Sequence, residues 1–108
     1  MFCYCHSLQD IDVSGFDTHN VKNIGAMFRG CMSLIELDLS NFDIGEDTIT
    51  EELCRDCTKL NKLILPDSMN SIGPKAFDGC SEITIFTHSG TYVEQYCIDN
   101  GISYSIIG

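Results

Sequence analysis

Apolar and polar positions recur along this chain at a fixed spacing. Sliding the sequence by 26 residues sets Met1-Phe2 over Met27-Phe28, Cys5 over Cys31, Ser7-Leu8 over Ser33-Leu34 and Ile11-Asp12-Val13-Ser14 over Leu37-Asp38-Leu39-Ser40. Phe16-Asp17 then meets Phe42-Asp43. A second step of 26 reaches Leu53, Cys57, Leu60, Leu63 and Leu65, and one of 23 reaches Ala76-Phe77, Gly79-Cys80, Ile83 and Phe86. A period of this length marks a repeat architecture.

Three units share one apolar spacing: Leu8/Ile11/Val13, Leu34/Leu37/Leu39 and Leu60/Leu63/Leu65; the fourth keeps only Ile83 and Phe86. The closing alternation predicts a short strand with one inward face, and the leading apolar residue plugs the bend before it. Such a strand cannot hide its apolar face alone. The units are therefore expected to stack, with parallel strands roughly 4.8 Å apart.

Between strands, residues 20–28, 50–55 and 73–77 read as short helical or 3₁₀ turns on the opposite side, with Pro74 at a first helical position. Val21, Ile24, Met27, Phe28, Leu53, Cys54, Ile72 and Phe77 would supply their buried contacts, and Phe16 and Phe42 would stack as an aromatic ladder. The pattern changes after Phe86. Thr91-Tyr92-Val93-Glu94 is a capping box, Gly101 supplies a left-handed stop, and Tyr92, Val93, Tyr96 and Cys97 share one helical face. Ile102 to Ile106 alternates as a strand.

The expected architecture is thus a single α/β domain. Its units are about 1–26, 27–52, 53–75 and 76–89, and a helix-strand cap occupies 90–108. Because Met1-Phe2 falls in mid-unit, the chain reads as the C-terminal part of a longer array, with self-association through its first unit as a consequence.

Composition narrows the function. Sixteen acidic against six basic residues give a formal charge of -10, the wrong sign for nucleic acid or an anionic membrane surface. No apolar run approaches the ~18 residues of a membrane span, and residues 1–7 lack the features of a signal peptide. Apolar residues at 44% and only two Pro argue for a folded chain.

Seven cysteines are many for 108 residues. Cys54-Arg55-Asp56-Cys57 has the spacing of zinc and redox pairs, but it has no second pair, and His6, His19 and His88 offer no matching ligand spacing. The repeat register gives both residues another reading. Cys57 belongs to a column with Cys5, Cys31 and Cys80, and Cys54 to a column with Phe2, Phe28 and Phe77, which suits small apolar thiols packed in a core. No metal or cofactor is expected. No Ser/His/Asp or Cys/His arrangement is brought together by the register, so no enzyme is expected either, and the histidines read as exposed loop residues.

The outward strand positions carry the functional expectation. They run Asp10, Asp12 and Ser14, then Glu36, Asp38 and Ser40, then Lys62 and Ile64, then Ile85 and Thr87. An acidic patch grading into an apolar one suits a cationic protein surface; the bland alternative is a solvated face. Calcium is the weaker reading, since no loop has its ligand spacing. Asp17 and Asp43, after the ladder phenylalanines, are expected to accept backbone hydrogen bonds at turns.

These motifs resemble known surface-protein repeats. Residues 16–43, with Met27-Phe28-Arg29-Gly30-Cys31 and Leu37-Asp38-Leu39-Ser40-Asn41-Phe42-Asp43, resemble the mycoplasma-lipoprotein type of surface repeat. Residues 65–81, from Leu65-Pro66 through Ala76-Phe77 to Gly79-Cys80-Ser81, resemble the BspA-type leucine-rich repeat, and residues 90–102 are similar to the cap that closes such arrays. The pattern departs where Cys54 replaces Phe, Cys3-Tyr4 replaces a polar-Gly pair and Cys97 replaces a small residue. The resemblance implies a leucine-rich repeat solenoid, display on a cell surface or secretion, and adhesion to host or neighbouring-cell proteins. It implies no catalytic residues. A structural spacer that ends the array, with no binding role of its own, is the alternative.

Parallel side chains in one column disfavour disulfides even at near-bridging separation. Thiol titration in denaturant without reductant should therefore find all seven cysteines; a lower count would reveal a bridge.

Overall fold

A computed structural model of the chain describes residues 4–7, 9–13, 15, 21–44 and 48–107. Alternating apolar residues produce short strands: β1 (Glu36–Asp38), β2 (Lys62–Ile64), β3 (Ile85–Thr87) and, after helix α1 (Tyr92–Asn100), β4 (Tyr104–Ile106). They form one parallel sheet in the order β1-β2-β3-β4. Leu37 meets Leu63, and Leu63 meets Ile85. Each inward side chain thus rests on its counterpart in the next unit.

Gln9 to Val13 lies alongside β1 without forming a strand, joined through the Ile35 amide, which donates to the Gln9 carbonyl at 2.9 Å. Val13, Leu34, Leu37, Leu39, Leu60, Leu63 and Leu65 are all buried, as their spacing requires. Ile44 and Met69 join them, although no motif singled them out. Ile24, Met27, Phe28, Leu53, Cys54 and Phe77 line the core from the turn side and Phe42 from beyond β1, whereas Ile72 is half-buried and Val21 is exposed. Expectations placed on Phe2, Leu8, Ser14, Phe16, Asp17 and His19 lie outside the described residues.

The turns opposite the sheet are not helical. Amides of Met27, Arg29 and Cys31 donate three residues back, to the carbonyls of Ile24, Ala26 and Phe28. The intervening amides of Ala26, Phe28 and Gly30 donate instead to Glu51, Leu53 and Arg55 of the next unit, at 2.8–3.0 Å. The pattern recurs where Glu52, Cys54 and Asp56 donate to Pro74, Ala76 and Asp78. A helix would consume every amide within itself, whereas these turns divert alternate ones to the neighbour. Left-handed residues make the diversion possible: Ala26, Glu52 and Lys75 fill one such column, and Tyr4, Gly30, Asp56 and Gly79 another. Pro74 sits in this ladder as an acceptor and starts no helix.

The fourth unit departs from the expected register. Ile85 follows Cys80 by five positions, whereas Leu63 follows Cys57 by six, and a one-residue change exchanges the faces of a strand. Ile85 and Thr87 therefore point inward, fully buried, and Phe86 points outward. This corrects the expectation that Ile85 and Thr87 lie on the outer face.

Helix α1 begins at Thr91, whose hydroxyl accepts from the Glu94 amide at 3.2 Å, while Glu94 Oε1 accepts from the Gly90 amide at 2.9 Å. The Thr91 hydroxyl also donates to the His88 carbonyl. Its single proton is thereby used, so the buried Thr87 hydroxyl is the donor in their 2.9 Å pair. Gly101, left-handed at φ 67°, ends the helix. Val93 and Cys97 are buried, Tyr96 packs edge-on against Phe77, and Tyr92 remains 40% exposed.

Gly30 combines positive φ with the Tyr4 ring lying where a Cβ would go. Gly30→Ala should lower unfolding free energy by about 1–2 kcal/mol from backbone strain alone, with more lost through the displaced ring. Chemical denaturation of the two proteins measures the difference, and an unchanged midpoint would contradict the packing described.

Candidate functional site

With Leu37 and Leu63 inward, strand alternation forces Glu36, Asp38, Lys62 and Ile64 onto the outer face. The parallel register sets Glu36 beside Lys62 and Asp38 beside Ile64. Asp10, Asp12, Glu36, Asp38, Lys62 and Ile64, the six expected binding residues, line one concavity of about 300 Å³ together with Ile11 and Leu37. The four carboxylates are on exposed residues, and Lys62 and Ile64 are half-buried.

Asp38 and Lys62 have structural work as well. Asp38 Oδ1 accepts from the Ser40 amide at 2.9 Å, closing the turn that ends β1. The Lys62 ammonium lies 5.2 Å from the centre of the Phe86 ring, a contact worth about 0.5–1 kcal/mol at such sites. Phe86 extends the face beyond Ile64, its register partner, so the outer surface runs from carboxylates through Lys62 to an aromatic ring. Sequence reasoning missed Phe86. The alternation of β-branched Ile83, Ile85 and Thr87 was the signal that could have placed it.

A second concavity, of about 260 Å³, opens beside the first and is lined in part by Ile64, Asp67, Ser68 and His88. His88 Nδ1 lies 2.8 Å from Asp67 Oδ1, with both side chains about half exposed. The pair ties the loop after β2 to the loop after β3. His88 is thus exposed, as expected, but has a partner; His6 is exposed and stands edge-on to Tyr4.

On the turn side, Glu52 bridges two guanidinium groups, at 2.8 Å from Arg29 and 2.6 Å from Arg55. The hydrogen bond from Arg55 holds the Glu52 carboxyl below its usual range, against a smaller opposing effect of desolvation. These residues lock neighbouring units and line none of the concavities described.

Most of the described cysteines belong to the interior. Cys5, Cys31, Cys54, Cys57, Cys80 and Cys97 form no disulfide among the described residues, and all but Cys5 are buried. Cys57 Sγ donates to the Phe28 carbonyl at 3.0 Å and Cys80 Sγ to the Cys54 carbonyl at 2.9 Å. Each thiol thus tethers its own unit to the one before. Hydrogen bonding to the Cys54 side chain drives the Cys57 thiol well above its ordinary range, and bonding to Cys57 does the same for Cys80, with burial adding to both. A buried thiol held protonated is a poor nucleophile. Among the described residues, no three His, Cys, Asp or Glu side chains cluster to hold a metal, and no helix is long and apolar enough to cross a membrane.

A parallel sheet on one side, stacked turns on the other and buried leucines between define an α/β repeat protein. The description "BspA type leucine rich repeat region (6 copies)" matches residues 1–107, and the chain belongs to that family. The match runs through the N-terminal half under the same description. Such repeats are in general non-catalytic scaffolds for protein interaction. No curated protein and no solved structure matches the chain.

Burial pushes the Cys97 thiol up to about 11. Thiols of the unfolded chain ionise from about 8.5 upward while Cys57, Cys80 and Cys97 stay protonated, so the native state binds more protons and stability falls as pH rises. For Cys97 the loss runs from the unfolded value to about 11, with a limiting slope of about 1.4 kcal/mol per pH unit for each such thiol. Denaturant unfolding at increasing alkaline pH should show this decline, and Cys97→Ala should reduce its slope; a slope unchanged in that variant would contradict the assignment.

Proposed function

We propose that this chain is a non-catalytic adhesion module of a surface-displayed or secreted protein, binding a cationic protein surface through its outer strand face. The observation that carries the reading is the convergence of Asp10, Asp12, Glu36 and Asp38 on one concavity with Lys62 and Ile64, next to which Phe86 extends the face. Carboxylates steer and orient a basic partner, and the half-buried apolar groups give it area to bury. The BspA-type family supports surface display or secretion.

A second reading has its own support. Val93 and Cys97 of α1 are buried and β4 adds to the sheet, which suits a cap that ends an array while other repeats bind. The two readings differ in what the carboxylates do. Reversing the charge of Asp10, Asp12, Glu36 and Asp38 to Lys should abolish retention on an immobilised Lys/Arg-rich peptide, and added salt should weaken the wild type. Retention unaffected by the reversal would rule out the acidic face and favour the spacer.

A further inference from the structure

Among the described residues, nothing pairs with the outer side of β4. This strand pairs only with β3 and stands last in the sheet order among the described residues. The Ser103 carbonyl accepts from the Ile85 amide, and the Ile107 amide donates to the Thr87 carbonyl, both at 2.9 Å. Ser105, between them, registers with Phe86. Alternation in a parallel ladder thus turns residues 103, 105 and 107 towards β3, leaving the backbone groups of Tyr104 and Ile106 directed to the open side.

Native edge strands are ordinarily blunted by charge, Pro or a covering element. Residues 101–107 contain no Asp, Glu, Lys, Arg or Pro. Tyr104 and Ile106 are 38% and 44% exposed, although their register partners Ile85 and Thr87 are fully buried.

We propose that β4 is a homotypic pairing edge at which a second copy of this chain adds its own β4 antiparallel. A two-fold axis through Ser105 sets Tyr104 opposite Ile106 of the other copy, and Ile106 opposite its Tyr104. The backbone groups directed to the open side then face each other in hydrogen-bonded pairs. Both cross-strand side-chain pairs are aromatic against β-branched, a favourable combination. The same segment is therefore complementary to itself, as an isologous interface requires. Charge selects this edge for a second copy. The chain carries -10 overall, and faces bearing Asp10, Asp12, Glu36 and Asp38 repel one another, whereas residues 101–107 oppose no like charges.

Light scattering and sedimentation of the full 108-residue chain, from micromolar to millimolar concentration, test the pairing alongside hydrogen exchange. Mass should rise from one chain towards two while the Tyr104 and Ile106 amides gain protection. Ile106→Pro removes an edge donor without touching the bonds to β3 and should abolish association, with circular dichroism reporting that the fold persists. Ser105→Lys places two ammonium groups across the axis and should weaken association several-fold. That variant makes the chain less negative, so simple relief of repulsion between acidic molecules would strengthen association instead. A single-chain mass throughout, a dimer lacking new β4 protection, or a dimer indifferent to both variants would each overturn the proposal.

Discussion

Stacking in this protein depends on a backbone constraint on its turn side. Each turn must satisfy its own amides and also present donors to the next unit, and it does so by division: one amide closes the local turn and the next crosses over. A buried peptide group left without a partner costs on the order of 1–3 kcal/mol, so the division holds along the whole turn or the units separate. It needs left-handed residues at two positions per unit, and at one of these columns the chain uses Ala26, Glu52 and Lys75. Those residues accept backbone strain of about 1–2 kcal/mol each. The cross-unit hydrogen bonds and the buried leucines above them are what offset it.

The remainder of the interior follows from this ladder. The carbonyls of Phe28 and Cys54 each accept one amide within their turn and have a second lone pair to offer. The thiols of Cys57 and Cys80 take that place. A thiol fits because it is small and apolar enough for the core yet still donates weakly. Alanine would fill the space without the donor, and a larger apolar residue would force the units apart. The second left-handed column works by alternation of another kind. Tyr4 lies over Gly30, and Asp56 lies against Gly79, so the side chain of one unit occupies space that the next leaves empty.

The period, the buried leucine columns and the packed thiols were legible in the sequence because each is a recurrence of side-chain type. Helix α1 was legible because Thr91, Glu94 and Gly101 each act locally. The conformation of the turns was not. Residues 20–28 and 50–55 have helix-like apolar spacing, and nothing in Ala26 or Glu52 announces a left-handed backbone that only the neighbouring unit makes worthwhile. Val21 was misplaced for the same reason, since it would be buried on a helix but lies outside this turn. The fourth strand failed differently: aligning Phe86 with the leucines preserved apolar character but ignored the missing residue after Cys80. Glu36, Asp38, Lys62 and Ile64 were found because alternation around Leu37 and Leu63 leaves them nowhere else to go, and Phe86 was lost with the register.

The division of labour between the two sides explains why the outer strand face is the place for variation. Turn-side polar groups are committed to holding units together, as Glu52 is between Arg29 and Arg55. Outer-face side chains need only tolerate a pleated surface. Thr or Ser would satisfy β1 as well as Glu36 and Asp38 do, and better if like charges accumulate beside Asp10 and Asp12. Placing Glu36 beside Lys62 relieves part of that repulsion, while Asp38 has only Ile64 as its register neighbour and retains its turn bond to Ser40. The fold therefore gives Asp38 a use within its own turn and Glu36 partial compensation from Lys62. The accumulation itself is a property of the surface, separable from the stacking beneath it, and it can change from one repeat to the next without disturbing the ladder that holds the chain together.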